Sequence, residues 1–207
     1  MRLALVLLPV FFTAACGVGD GEGWVRSENL YVTDCWNGKF DLGPDFFAAN
    51  PSPGSKSLSL RVQRGDDLEE RSDGLTVIVN QLSRVRGMVG SDIQVGLPVG
   101  VSPPGVPVVE NPDPPLVNLA LYLHGTCDRQ NGTVYSVDGT IHFESLYSGD
   151  PNEGDADDRL TEASFDAWFA DPRELVGPAS TNPSVMSQVR GHFRFFYQRG
   201  QPAQPFQ

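Results

Sequence analysis

The 207-residue chain has few basic side chains and few long apolar runs, and each shortage excludes a class of protein. Its 15 lysines and arginines stand against 26 aspartates and glutamates, which gives a formal net charge of −11. Binding to phosphates requires clustered Lys and Arg, so we expect no nucleic-acid partner. The same acidity disfavours lying flat on an anionic lipid surface. After residue 12, no segment approaches the roughly 20 apolar residues that a membrane-spanning helix requires.

Catalytic and metal-binding motifs are equally scarce. The sequence has no HExxH, no paired CxxC, no GxSxG, no SxxK and no phosphate-binding glycine loop. The three histidines, His124, His142 and His192, are far apart. His124 and Cys127 are close enough to be read as metal ligands or as a base and a nucleophile, but a strand-end histidine beside a half-cystine is the simpler interpretation. We therefore expect a non-enzymatic protein without a cofactor.

The first fifteen residues have the three parts of a secretory signal. Arg2 supplies a positive charge, Leu3 to Phe12 form a short apolar run, and the small residues Thr13 to Ala15 follow. An apolar run of about ten residues is too short to span a bilayer. We predict that residues 1–15 are removed, which leaves 192 residues, enough for one sizeable core.

Cys16 indicates where the exported protein is held. The segment TAAC, residues 13–16, followed by Gly17, resembles the lipobox of bacterial lipoproteins, although Thr13 stands where that family usually has leucine. The resemblance implies cleavage before Cys16, acylation of its side chain, and export to the cell membrane or outer membrane, facing the periplasm or the cell exterior. A multiply acylated cysteine holds a soluble domain stably at a membrane. Residues 16–23 are then expected to form a flexible tether.

With Cys16 assigned to lipid by this resemblance, two cysteines remain. Cys35 lies in VTDCWNG and Cys127 in HGTCDRQNG, both at apparent strand ends. In an oxidising compartment such a pair is expected to form a disulfide, and two free thiols are the alternative.

The remainder predicts an all-β domain, residues 24–207, with little or no helix. SLSLRVQ and GLTVIVN alternate apolar and polar residues and suit a hairpin, and LVNLALYLHG suits a central strand. Asp138-Gly139 predicts the turn of a second hairpin. At least seven such segments favour an antiparallel β-sandwich, with a barrel as the alternative.

Two segments leave a choice open. RLTEASFDAWFADP fits a strand or a helical face, and we favour the strand because its neighbours are strands. Residues 98–115 hold seven prolines and cannot lie inside a sheet. This stretch is either a linker between two domains or a crossover in one, and a Cys35–Cys127 bridge across it favours one domain.

The acidic segment 148–159 is a weak calcium candidate. Its oxygen-bearing side chains are of the type that calcium prefers, but their spacing fails the EF-hand register, and a solvated loop is the simpler interpretation. The candidate ligands are Asp150, Asn152, Asp155, Asp157 and Asp158.

Three functions are compatible with these features. We expect a membrane-anchored lipoprotein whose domain has a non-catalytic binding or structural role in the cell envelope, with an envelope protein or glycan as partner. The alternatives are a calcium-stabilised adhesion or carbohydrate-binding module, and an envelope hydrolase with a dispersed active site.

Overall fold

The structure of the chain, a computed structural model, describes residues 21–52, 54, 56–66, 69–101, 114–127, 132–175 and 185–197. Within these ranges the prediction of an antiparallel all-β fold with little helix is confirmed. The strands are β1 (Gly21–Val32), β2 (Trp36–Leu42), β3 (Phe46–Pro51), β4 (Leu58–Gln63), β5 (Asp73–Val79), β6 (Asp92–Gln94), β7 (Val117–Leu123), β8 (Thr133–Ser145), β9 (Leu160–Ala170) and β10 (Met186–Phe196). Two short helices, α1 (Leu82–Arg86) and α2 (Ala156–Arg159), and the 3₁₀ turns Glu69–Arg71 and Pro172–Glu174 complete the described elements.

All the strands belong to one antiparallel sheet. Its order is β2-β1-β10-β9-β8-β7-β5-β4-β3, and β6 pairs with β8. The predicted β4–β5 hairpin is present, with Leu60 opposite Val77, and β7 is central as predicted. β3, in FFAANP, is an edge strand that the local sequence pattern did not reveal.

The sheet curls until its two edges approach each other. β2 and β3 lie at opposite edges, yet only residues 43–45 join them. Four Cα steps span about 14 Å at most, so the corners at Leu42 and Phe46 must be close. Phe47 of β3 accordingly stacks on Phe195 of β10, with ring centroids 5.6 Å apart.

The core fills the concave side of this curled sheet. Alternate residues of each strand point inward and are fully buried, for example Val25, Leu60, Val77, Leu121 and Phe193. Burying a side chain of this size stabilises the fold by about 1.5–3 kcal/mol. The intervening residues of β1, β9 and β10 therefore point to the convex side.

Asp138-Gly139 is a bulge within a strand, and the predicted hairpin turn is wrong. β8 runs unbroken from Thr133 to Ser145, and its register with β9 shifts between Ser136 and Asp138. Gly139 has φ +118°, and a Cβ there would lie 2.5 Å from the Cα of Ala167. Because Gly139 has no side chain, β9 can lie close to β8 at this bulge. The position is not a turn, because β8 continues to pair with β9 on both sides of it.

The ambiguous segment before Pro172 is a strand, as favoured. β9 covers Leu160–Ala170 and alternates buried and exposed side chains through most of its length. A single helical turn, α2, precedes it, and the carboxylate of Asp155 accepts a hydrogen bond from the N–H of Asp157 at its start.

The sheet begins earlier than the predicted domain boundary at Trp24. Gly21, Glu22 and Gly23 pair in β1 with Phe195, Arg194 and Phe193, so the predicted tether 16–23 is too long at its C-terminal end. Glycine is required here by packing, because a Cβ on Gly23 would lie 2.7 Å from the carbonyl oxygen of His192. Gly21 and Gly23 therefore allow close strand packing, where the sequence predicted a flexible tether.

Strands from both sides of the proline-rich stretch share the sheet. β5 pairs along its whole length with β7, although residues 98–115 lie between them in the chain. Residues 102–113 lie outside the described ranges. Where the chain leaves the proline-rich stretch, the side-chain amide of Asn80 donates to the carbonyl oxygen of Pro115 (2.6 Å) and to Oδ1 of Asn118 (2.7 Å).

Candidate functional site

The convex face of β1, β10 and β9 carries a group of exposed and half-buried charged, polar and aromatic side chains. Its outward positions bring together residues from the start and from the last third of the described chain because the three strands are neighbours. They are Trp24 and Arg26 of β1, Glu162, Ser164, Asp166 and Trp168 of β9, and Met186, Gln188, Arg190, His192 and Arg194 of β10.

An open groove of about 520 Å³ crosses this face. We call it the outer groove; it is lined by Trp24, Arg26, Ser27, Glu28, Asn29, Trp168, Met186, Gln188 and Arg190. One wall is formed where the register of β1 with β2 shifts between Ser27 and Leu30. The Ser27 hydroxyl donates to the carbonyl oxygen of Gln188 (2.7 Å) and accepts from the N–H of Asn29 (3.3 Å), which fixes this bulge against β10.

Two tryptophans stand at opposite ends of the outer groove. Trp168 is 39% exposed, and Trp24 is half-buried. Trp24 lies opposite His192 and Trp168 lies opposite Gln188, so they are four residues apart along β10 and two strands apart across it. These offsets place their Cα atoms roughly 16 Å apart. The guanidinium of Arg26 lies 5.1 Å from the ring centre of Trp24 and orders that end by a cation–π contact.

Each charged side chain that lines the outer groove has an oppositely charged neighbour. Arg26 pairs with Asp41 (3.1 Å) and Glu28 with Lys39 (2.7 Å). Asp166 accepts from Arg190 (2.8 Å) through one oxygen and from Gln188 (2.7 Å) through the other. These exposed pairs add little stability, but they orient planar polar groups beside the tryptophans and leave the lining close to neutral.

Two of the three histidines belong to the same convex face. His142 Nδ1 lies 2.9 Å from Asp92 Oδ1, and His192 Nε2 lies 3.6 Å from Glu162 Oε1. Ser164 is opposite both in register and donates its hydroxyl to Glu144 (3.3 Å). The register therefore brings together residues that are distant in sequence, on an open surface.

His124, by contrast, is structural. Its Nδ1 lies 2.9 Å from the carbonyl oxygen of Glu69 and its Nε2 lies 2.8 Å from the hydroxyl oxygen of Thr133. The following turn is held by Asp73, whose Oδ1 accepts from the N–H groups of Gly125 (3.0 Å) and Thr126 (2.9 Å). This supports the interpretation of His124 as a strand-end residue.

Cys35 and Cys127, paired from the cysteine count, are joined by a disulfide with a Cα–Cα distance of 5.6 Å. The bond links the β1–β2 turn to the turn after β7. Asp171, 1% exposed, holds the same β1–β2 turn by accepting from the N–H of Thr33 (3.1 Å) and from Arg173. Burial alone would raise the pKa of Asp171, but the hydrogen bonds and charge of Arg173, with the Thr33 N–H, outweigh it and lower that pKa.

A cluster of buried polar side chains on β4 and β7 was not predicted from the sequence. Arg61 is 1% exposed; its Nε donates to the Tyr122 hydroxyl (3.2 Å), which donates to Gln63 (3.1 Å). Burial raises the pKa of Tyr122 to about 12 despite the hydrogen bond and charge from Arg61. Burial also raises the pKa of Glu69, against the opposing charges of Arg61 and His124. Polar residues in an alternating strand normally indicate an exposed face, so nothing local signalled this burial.

The calcium candidates are engaged in the turns of their own loop or in an ion pair. Asp150 accepts from the N–H of Asn152 (2.8 Å), Asp155 accepts from the N–H of Asp157 (3.1 Å), and Asp158 pairs with Arg86. In the part of the chain that the structure describes, no group of three or more His, Cys, Asp or Glu side chains is placed to hold a metal ion.

Cys16, the lipidation candidate, lies outside the described residues, which begin at Gly21. Across those described residues, no helix is both long and apolar enough to cross a membrane.

Comparisons with protein-family models, with curated proteins and with solved structures find no match for this chain. Function must therefore be inferred from the residues and their geometry. The outer groove is the main feature that the sequence did not predict, since its tryptophans are 144 residues apart. The sequence does contain one indication of this groove, which is tryptophan at outward positions of alternating strands where polar residues are usual.

Proposed function

We propose that this protein is an exported lipoprotein, held at the cell membrane or outer membrane by acyl chains on Cys16, whose domain binds an envelope component without catalysis. The lipobox resemblance supports the anchor. The Cys35–Cys127 disulfide is consistent with export, because disulfides persist in oxidising compartments.

The outer groove is the observation that supports the proposed binding role. A groove that combines aromatic surface with a rim of ordered polar groups is typical of a ligand-binding site. Trp168 is 39% exposed and lies on a sheet that is continuous on both sides of β9. A rigid sheet holds such a site at little entropic cost on binding.

The anchor is tested by Cys16→Ala in the full chain. The variant is expected to move from the membrane fraction to the soluble fraction and to lose metabolic labelling by a palmitate analogue. A Cys35→Ala/Cys127→Ala double variant is the matched control and should keep both properties. Retention of the Cys16→Ala protein on the membrane, with its label, would show that the anchor is wrong.

The binding role is tested separately from the anchor, in the Cys16→Ala background. Washed, lipid-extracted envelope material is sedimented with the protein, and the bound fraction is measured. Trp168→Ala should reduce the bound fraction, whereas Phe196→Ala should not. Phe196 is a close control because it is 40% exposed and lies on β10, the strand next to the β9 of Trp168. Equal sedimentation of all variants would refute a binding role for the outer groove.

A further inference from the structure

The geometry points to a neutral oligosaccharide chain as the ligand of the outer groove. This inference rests on the binding role proposed above and names the chemistry of its partner.

The aromatic part of the lining suits sugar rings. The face of an indole carries negative charge density and attracts the slightly positive C–H groups on the apolar face of a pyranose. Trp168 offers exposed ring surface at one end of the outer groove, and Trp24 borders the other end. A spacing of roughly 16 Å between their Cα atoms, from the strand geometry, suits a chain of several sugar units more than a single small molecule.

The polar part of the lining suits hydroxyl groups. Between the tryptophans lie Gln188 and Arg190, both oriented by Asp166, and Asn29 is held on the bulge wall. Amide and guanidinium groups are planar and present several donors in fixed directions, and the Asn and Gln carbonyl oxygens accept as well. Vicinal hydroxyls of a sugar both donate and accept, so such a set can satisfy them.

The charge of the outer groove favours a neutral ligand over the main alternatives. Arg26, Glu28 and Arg190 are each already paired, with Asp41, Lys39 and Asp166. The chain carries a net charge of −11. An anionic polymer would have to break the pairs of Arg26 and Arg190 and approach against this overall charge. A peptide that binds through apolar anchors requires deeper apolar pockets than this open groove, whose lining alternates aromatic and polar groups.

The site is also built on elements that need not move. β1, β10 and β9 pair without interruption where they carry Trp24, Arg190 and Trp168. A preorganised site loses little conformational entropy when a flexible chain binds. The tryptophans and the polar groups between them are therefore in position before the ligand binds.

The experiment uses the full mature chain in the Cys16→Ala background. It is screened on an array of neutral and acidic oligosaccharides, and hits are measured by affinity electrophoresis with the matching soluble polysaccharide. We expect binding to at least one neutral glycan, weakened about tenfold or more by Trp168→Ala or Trp24→Ala and unchanged by Phe196→Ala. Tryptophan fluorescence should shift with the same glycan and lose part of that shift in Trp168→Ala.

Three outcomes would overturn the inference: no neutral glycan bound at millimolar concentration, binding unaffected by either tryptophan variant, or binding confined to acidic glycans and abolished by salt. Each differs from failure of the proposed function. If Trp168→Ala reduces sedimentation with envelope material while no neutral glycan binds, the binding role stands and the ligand class is wrong. If sedimentation is also unaffected, both are wrong.

Discussion

Removing the Cys35–Cys127 bond should cost this protein a large part of its stability, and the structure sets the size of the loss. The bond joins residues 92 apart in sequence, so it closes a loop that contains β2 to β7. In the chain-entropy model, a cross-link over a loop of that length restricts the unfolded chain by roughly 4.6 kcal/mol at 25 °C. Strain and residual structure generally reduce the measured value, so we expect a loss of about 3–4.5 kcal/mol.

The variant for this measurement is Cys35→Ala/Cys127→Ala. Alanine is preferred to serine because Cys127 is only 6% exposed, and a buried hydroxyl without a partner would add a cost of its own. For a domain of this size, the expected loss lowers the melting temperature by roughly 10–15 °C. The hydrogen bonds of Asp171 and Arg173 to the β1–β2 turn should keep the folded structure in place.

The assay is urea unfolding followed by circular dichroism, on the double alanine variant and on wild type with and without reductant. Removal of the bond should lower the unfolding midpoint and raise the m-value, because the unfolded chain becomes more expanded. Reduced wild type should match the variant. A loss below about 1 kcal/mol together with an unchanged m-value would refute the loop-closure reasoning.

Two further predictions concern stability. The lowered pKa of Asp171 means that its contribution is complete above the ordinary aspartate pKa of about 4 and is lost as pH falls through its folded value. Asp171→Asn should therefore lower the free energy of unfolding at pH 7 and flatten its decline below pH 4 in chemical denaturation; a parallel acid decline in both proteins would contradict this. Gly139→Ala should destabilise the protein by more than about 2 kcal/mol, since it combines φ +118° with the backbone of β9 at 2.5 Å. Gly90→Ala, at φ +83° with open space around it, should cost only about 1 kcal/mol in the same thermal and urea measurements; equal losses would show that close packing at the bulge is unimportant.

The fold class could be predicted because the strands alternate apolar and polar residues within their own sequences. Leu58, Leu60 and Val62 of β4 are buried as their spacing predicts, because one face of that strand packs on the core whatever its partners are. Asp138-Gly139 was misread because the same dipeptide suits a turn or a bulge. Strands β6, β7 and β9, remote in sequence, decide which one forms.

The outer groove could not be predicted for a related reason. Trp24 and Trp168 line the same groove only because β10 pairs with β1 on one side and with β9 on the other. No local pattern encodes that strand order. The buried Arg61 is similar, since it contacts Tyr122 of β7, two strands away, whose hydroxyl accepts from Arg61 and donates to Gln63.

The early start of β1 at Gly21 has a consequence for the proposed lipid anchor. Five Cα steps separate Gly21 from Cys16, so the sheet begins within about 18 Å of the proposed lipidation site. β1 is 12 residues long and rises roughly 35 Å to the turn that carries the disulfide. If Cys16 carries the proposed acyl chains, the Phe47–Phe195 corner lies at the end of β1 nearer the anchor and the disulfide lies at the far end, with Trp24 nearer the anchor than Trp168.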